Sequence, residues 1–199
     1  MEPFRRVAML GIGLINGSLA KVLKREGAAG EIVACSRRAE TRDRALELGL
    51  CDRAVADPAD AVRGADLIVL GTPPGALSAL AAAMSPGLDR DAIVTDVSSI
   101  KAQVVRDVAP HLPDPSRFVP GHPVAGTEHS GPDAAFDTLF VRRRCILTPT
   151  EETDPQAVDR VRAMWELAGS AVDVMTPEHH DRVLAITSHL PHLIAYTIV

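Results

Sequence analysis

The sequence is short of cysteine, of positive charge and of long apolar runs, and each shortage removes a class of protein. Three cysteines, Cys35, Cys51 and Cys145, form an odd set at irregular spacing with no C-x-x-C pair. They outline no disulfide framework and suit a reducing cytoplasm. Acidic residues outnumber basic ones, 26 to 21, for a formal net charge of -5. Without a broad basic surface, nucleic acid is not an expected partner, and Arg142, Arg143 and Arg144 read as a solvated edge. No stretch reaches ~18 uninterrupted apolar residues, so no membrane span is expected. The basic-then-apolar start, MEPFRRVAMLGIGLI, is broken by glycines and runs into an amphipathic helix rather than a cleavage site. Internal repeats and low-complexity linkers are also lacking. His179, His180 and Asp181, with His189 and His192, invite a metal assignment. Zinc sites on helices want histidines four apart with a third ligand, whereas His189 and His192 are three apart across a proline, so no metal is expected.

What remains is a chain of 199 residues, 46% hydrophobic and 24% charged, with the balance of an ordinary soluble globular protein. Short apolar runs at 6–11, 31–36, 65–73, 92–97 and 117–121 alternate with helical patterns at 14–27, 39–49, 75–84 and 99–111. Fully apolar strands separated by helices predict a parallel sheet covered on both faces, a doubly wound α/β fold of Rossmann type. The rhythm continues with a strand at 144–149, a helix near 155–168 and a strand at 171–175. From Thr176 the pattern changes. Pro177 suits a helix first turn, and the apolar groups that follow keep helical spacing to Val199, an uncapped end. The expected organisation is a dinucleotide-binding domain over 1–174 and, over 175–199, the first helix of a helical domain cut short.

The stretch GIGLINGSLA follows the first strand and opens a helix. In a dinucleotide fingerprint the first glycine makes the tight turn and the second lets backbone approach the pyrophosphate; the third lets helix and strand pack closely. Gly11 and Gly13 supply the first two roles, and Leu14 and Ile15 begin the helix whose free N–H groups would face the pyrophosphate. Asn16 stands at the third position, which predicts retained binding with a looser contact between helix and strand. At the end of the second strand an NAD site usually carries a carboxylate for the ribose 2′-OH. Here stand Ser36, Arg37 and Arg38, a hydroxyl and two guanidiniums that suit a 2′-phosphate. The reading therefore favours NADP, with NAD as the alternative.

Three further stretches are hard to explain as packing. TDVSSIK (95–101) leaves a strand carboxyl end and puts Ser98, Ser99 and Lys101 in the crevice where α/β ligands bind. GHPVAGTEHSG (121–131) concentrates His122, Glu128 and glycines in a loop, and TSHLPH (187–192) groups Ser188, His189 and His192 around Pro191.

With these motifs the sequence resembles the prephenate dehydrogenase family, which includes arogenate and cyclohexadienyl dehydrogenases. GIGLINGSLA, TDVSSIK, GHPVAGTEHSG, ILTPTEETD and HHDRVLAITSHLPHLIAY match that family's motifs in order, from about residue 6 onward. The departure is Asn16, where members usually have a glycine. The resemblance implies oxidative decarboxylation of a cyclohexadienol in tyrosine biosynthesis, with His122 accepting the hydroxyl proton. A neutral imidazole is suited to that task near neutral pH. It implies that Ser99 orients His122 or hydrogen-bonds the hydroxyl, and that Ser188 and His192 face the substrate. Glu128 would line the entrance, and Thr72 and Pro73, with Ser98, would sit on the cofactor side. It also implies a homodimer through the helical region and a carboxylate-binding arginine further along that region. Ser188 and His192 read equally as polar groups satisfied within a helix bundle. Two other functions remain open from the residues: a nucleotide-binding but catalytically incomplete fragment, and a 3-hydroxy-acid dehydrogenase of the same architecture.

Overall fold

The computed structural model describes residues 1–189 and Thr197. Six parallel strands form the main sheet. β1 (Phe4–Leu10), α1 (Leu14–Arg25), β2 (Ala29–Cys35), α2 (Ala39–Glu47) and the edge strand β3 (Arg53–Val55) make its first half. α3 (Pro58–Val62), β4 (Leu67–Leu70), α4 (Leu77–Met84), β5 (Ile93–Asp96), α5 (Ala102–Val108) and β6 (Phe118–Val119) make the second. The strand order is β3-β2-β1-β4-β5-β6, the Rossmann order, whose direction reverses between β1 and β4.

Burial on both faces explains the unbroken apolar runs. Successive side chains alternate sides, so Val7, Met9, Ile32, Ala34, Leu67, Val69 and Ile93 meet α1. Their neighbours Ala8, Leu10, Val33, Cys35, Ile68, Leu70 and Val94 meet α3, α4 and α5. α6 (Pro155–Leu167), started by Asp154 accepting from Gln156 N, completes the first layer with Val161, Met164 and the fully buried Trp165.

Beyond β6 the chain departs from the expected continuation of one sheet. At Pro120 it turns into β7 (Gly121–Pro123), which pairs antiparallel with β8 (Arg144–Leu147), and β8 pairs parallel with β9 (Ala171–Val174). These three strands form a separate small sheet. GHPVAGTEHSG is thus a strand at its start, not a loop throughout. Its pairing of His122 with Ile146 is long-range, and three residues that include a proline carry no strand periodicity. β3 and α3, three and five residues long, escaped for the same reason.

α7 (Pro177–Leu184) starts at Thr176, whose hydroxyl accepts from His179 N, with Pro177 in the first turn. It continues as a π-helical turn over Ala185–His189. Among the described residues no helix is long and apolar enough to cross a membrane.

Candidate active site

At the β1–β4 reversal Gly11 has φ +91, and a Cβ on it would meet the Gly71 carbonyl at 2.9 Å. Both the left-handed backbone and the close strand approach require glycine there. Gly13 is the N-cap of α1, makes no side-chain cap and has open space where a Cβ would stand. The first-turn N–H groups, from Leu14 and Ile15 on, are thus left for an anion rather than a cap.

Asn16 overturns the expected loose contact. Its side chain is buried, and Nδ2 donates to Gly11 O at 2.8 Å and Val69 O at 3.2 Å. The amide fills the space a third glycine would leave, tying α1 to the turn and to β4. Gly71 makes room: a Cβ there would fall inside van der Waals contact with the Asn16 amide. Gly17, one residue on, lets the 132–136 segment close over α1. A Cβ at Gly17 would meet Ala135 at 2.8 Å, and Phe136 N donates to Ser18 Oγ.

A cleft of about 870 Å³ opens beside this turn, and Gly11, Ser36, Arg37, Arg38, Thr72 and Pro73 line it together. Arg42 Nη1 donates to the carbonyls of Ser36 and Arg37, shaping that rim and leaving the Arg37 and Arg38 side chains exposed. Gly13, Leu14, Ile15 and Ser98 are not part of this lining. Leu14 and Ile15 pack against the core on the α1 side. Ser98 is buried, its N–H donates to Asp96 Oδ2, and its hydroxyl has no partner among the described residues.

At the ends of β5 and β7 lies a second, more buried cluster. Lys101 does not enter the crevice as expected. It is fully buried, and Nζ donates to Asp96 Oδ2 at 2.5 Å and to Gly121 O at 2.6 Å. Asp96 Oδ1 accepts from Gly121 N. The Asp96–Lys101 pair thereby holds both polar groups of the residue preceding His122. Burial pulls the Lys101 ammonium below its ordinary range against the opposing pull of Asp96.

His122, 8% exposed, places Nδ1 2.9 Å from His180 Nε2. His180, wholly buried on α7, places Nδ1 2.8 Å from Asp181 Oδ1. Asp181 also accepts from Lys101 N at 2.7 Å and Ala102 N at 2.9 Å. Burial lowers the His180 pKa although Asp181 raises it. For Asp181 the rise from burial is outweighed by the hydrogen bonds from His180, Ala102 and Lys101, which hold it below the usual carboxylate range.

The other expected site residues are more dispersed. Ser99 is exposed, and among the described residues it is His180 that meets the His122 ring. Glu128 is exposed on its loop, 3.5 Å from His129 Nε2. Ser188 lies half-buried in the π-helical turn, and His192 lies outside the described residues. Among those described, no cluster of His, Cys, Asp or Glu is arranged to hold a metal ion. Sequence reasoning missed His180 and Asp181 as partners of His122, because their adjacency in HHD was weighed only as metal ligation. The available signal was a histidine and a carboxylate in the first turns of a helix beginning just after the last strand.

The family model described as prephenate dehydrogenase, nucleotide-binding domain, matches residues 19–174, and the one for its dimerization domain matches 176–199. A cyclohexadienyl dehydrogenase of Zymomonas mobilis is 42% identical over the whole chain, which covers 68% of that protein. A prephenate dehydrogenase of Bacillus subtilis is 34% identical over 97% of the chain, which spans about half of it, 52%. Among solved structures, prephenate dehydrogenase from A. aeolicus in complex with hydroxyphenyl propionate and NAD+ superposes with a TM-score of 0.91. It is 36% identical, over 98% of this chain and 68% of that one.

Proposed function

The chain belongs to the prephenate dehydrogenase family, and from that premise we propose that it catalyses NAD(P)-dependent oxidative decarboxylation of prephenate or arogenate. The products are 4-hydroxyphenylpyruvate or tyrosine. The observation that carries this reading is His122. It is a nearly buried imidazole on β7, gripped through Gly121 by a buried ion pair and through its own ring by His180.

In the proposed reaction the substrate hydroxyl gives its proton to His122 while its carbon loses a hydride. The ring carboxylate leaves as CO₂, the electrons of that bond complete the aromatic ring, and the resulting phenolate oxygen takes its proton back from His122. Aromatisation supplies driving force, so the protein mainly positions donor, acceptor and base. A bound nicotinamide dinucleotide supplies the hydride acceptor. Gly11 and Gly13, with the first turn at Leu14 and Ile15, fit its pyrophosphate. Thr72 and Pro73 belong beside the nicotinamide end in this reading, and Ser98 on the cofactor side. Ser36, Arg37 and Arg38, with no carboxylate among them, favour a 2′-phosphate and hence NADP over NAD. Ser99 is assigned to the substrate hydroxyl, Ser188 and His192 to the substrate, and Glu128 to the entrance. The same reading divides the chain into a dinucleotide-binding domain, 1–174, and the start of a helical domain, 175–199, through which two copies pair. The match of residues 176–199 to the family's dimerization domain supports that pairing.

The test is cofactor reduction, followed by absorbance, with prephenate and with arogenate, each with NADP+ and NAD+. Turnover favouring NADP+ is expected. His122→Asn should lower kcat by about 10²–10⁴-fold, the usual contribution of a general base, while still binding the dinucleotide. Wild-type turnover by that variant would remove His122 from the role.

A further inference from the structure

We propose that Asp181 and His180 set the tautomer of His122, making His180 the positioning residue that keeps His122 Nε2 ready to accept the hydroxyl proton. The proposal rests on the reading of His122 as that acceptor, and it adds two residues from a different part of the chain. They belong to α7, in the segment matched by the dimerization-domain model, whereas His122 belongs to β7.

One end of this chain of hydrogen bonds has no choice of role. An ionised carboxylate only accepts hydrogen bonds. Asp181 is held ionised by three donors, the N–H groups of Lys101 and Ala102 and the ring of His180. His180 must therefore carry its proton on Nδ1. Wholly buried, and shifted by that burial towards its neutral form, His180 then has a bare lone pair on Nε2. Among the described residues, the group with a proton to give to that lone pair is His122 Nδ1, 2.9 Å away. A neutral His122 with its proton on Nδ1 has its lone pair on Nε2. The rings meet edge to face, centroids 5.1 Å apart at 69°, so a ring edge rather than a face is offered to the partner.

No proton travels along this chain. When His122 accepts the hydroxyl proton at Nε2, its Nδ1–H remains directed at His180, and the charge of Asp181 stabilises the imidazolium through one intervening ring. Among the described residues, the other charged groups acting on His180 are Lys101, at the start of α5, and Asp96, at the end of β5. They neutralise each other in their own ion pair, which leaves Asp181 as the charge that orients the relay. Packing alone does not account for the arrangement, since an apolar side chain would fill a wholly buried position without needing a partner at each ring nitrogen.

Two measurements on the protein test this. Nitrogen-detected histidine NMR of the free, unsubstituted protein reads the tautomers directly, and His180 and His122 are both expected with the proton on Nδ1. A proton on Nε2 of neutral His122 overturns the proposal whatever the enzyme turns over. In kinetics, His180→Leu keeps the volume but offers no acceptor. It should lower kcat by about 10–100-fold, part of what general-base catalysis contributes, with KM within about twofold. His180→Gln, whose carboxamide oxygen can accept from His122 Nδ1, should recover most of that loss. Equal turnover by the Leu and Gln variants, or a better Leu variant, would mean that His180 only packs. If the unsubstituted protein turns over neither substrate, the functional reading fails while the tautomer measurement still decides the relay. Should either variant fail to fold, judged by loss of dinucleotide binding, that measurement on the unsubstituted protein again decides it.

Discussion

Asn16 shows how one residue departs from a motif without abandoning its purpose. Close packing of α1 on the sheet normally comes from the absence of a side chain. Here it comes from a side chain whose Nδ2 meets two carbonyls, with Gly71 vacating the space. The two positions should therefore be coupled. Asn16→Gly removes two hydrogen bonds and adds helix flexibility, but also removes the Oδ1 atom, buried without a partner among the described residues. A loss of about 1–2 kcal/mol is expected. Gly71→Ala should cost about 1–3 kcal/mol by overpacking against Asn16 and much less in the Asn16→Gly background. Urea unfolding of the four proteins measures the coupling, and simple additivity would show that the amide is not wedged against Gly71.

Among elements, the decisive junction is where β5, α5, β7 and α7 meet. β7 has only three residues, too few to hold a catalytic side chain by pairing alone. The buried Asp96–Lys101 pair compensates by gripping the N–H and the C=O of Gly121. Lys101→Met should leave Asp96 as an uncompensated buried charge and destabilise the protein by about 3–5 kcal/mol, measurable as a lower urea midpoint at unchanged slope. Because β7 is the element released, any surviving activity should fall more than dinucleotide binding. A variant as stable as the parent would mean that Asp96 is satisfied by its N–H partners alone. Strand β7 was not visible in the sequence because its partners are β8, some twenty residues away, and side chains of β5 and α5.

For the whole molecule, the buried histidine relay couples folding to pH. The His180 pKa lies below its ordinary 6.5 in the folded state, so the unfolded chain takes up the proton first. The stability that follows from burying His180 neutral is present above 6.5 and lost as the pH falls below it toward the folded-state value. Asp181, held below its ordinary 3.8, adds a second loss only in stronger acid. The melting temperature should therefore drop between about pH 7 and about pH 5.5, and His180→Gln should flatten that drop. An unchanged slope in the variant would place the acid sensitivity in other groups.

Much of the architecture was readable in the chain itself. Apolar runs long enough to be buried on both faces marked β1, β2, β4 and β5, and Gly11 and Gly13 after the first run marked the dinucleotide turn. Such features are local, since strand burial and left-handed turns constrain residue types next to one another. The tertiary structure decided what depends on distant partners: that β7, β8 and β9 form their own sheet, that Asn16 fills rather than loosens its contact, and that Lys101 is buried. It also decided that His180, 58 residues beyond His122, is its neighbour. A polar side chain in a sequence carries no mark of the group that will satisfy it. Which carboxylate, carbonyl or imidazole does so is settled only when the chain brings them within hydrogen-bonding distance and excludes water from between them.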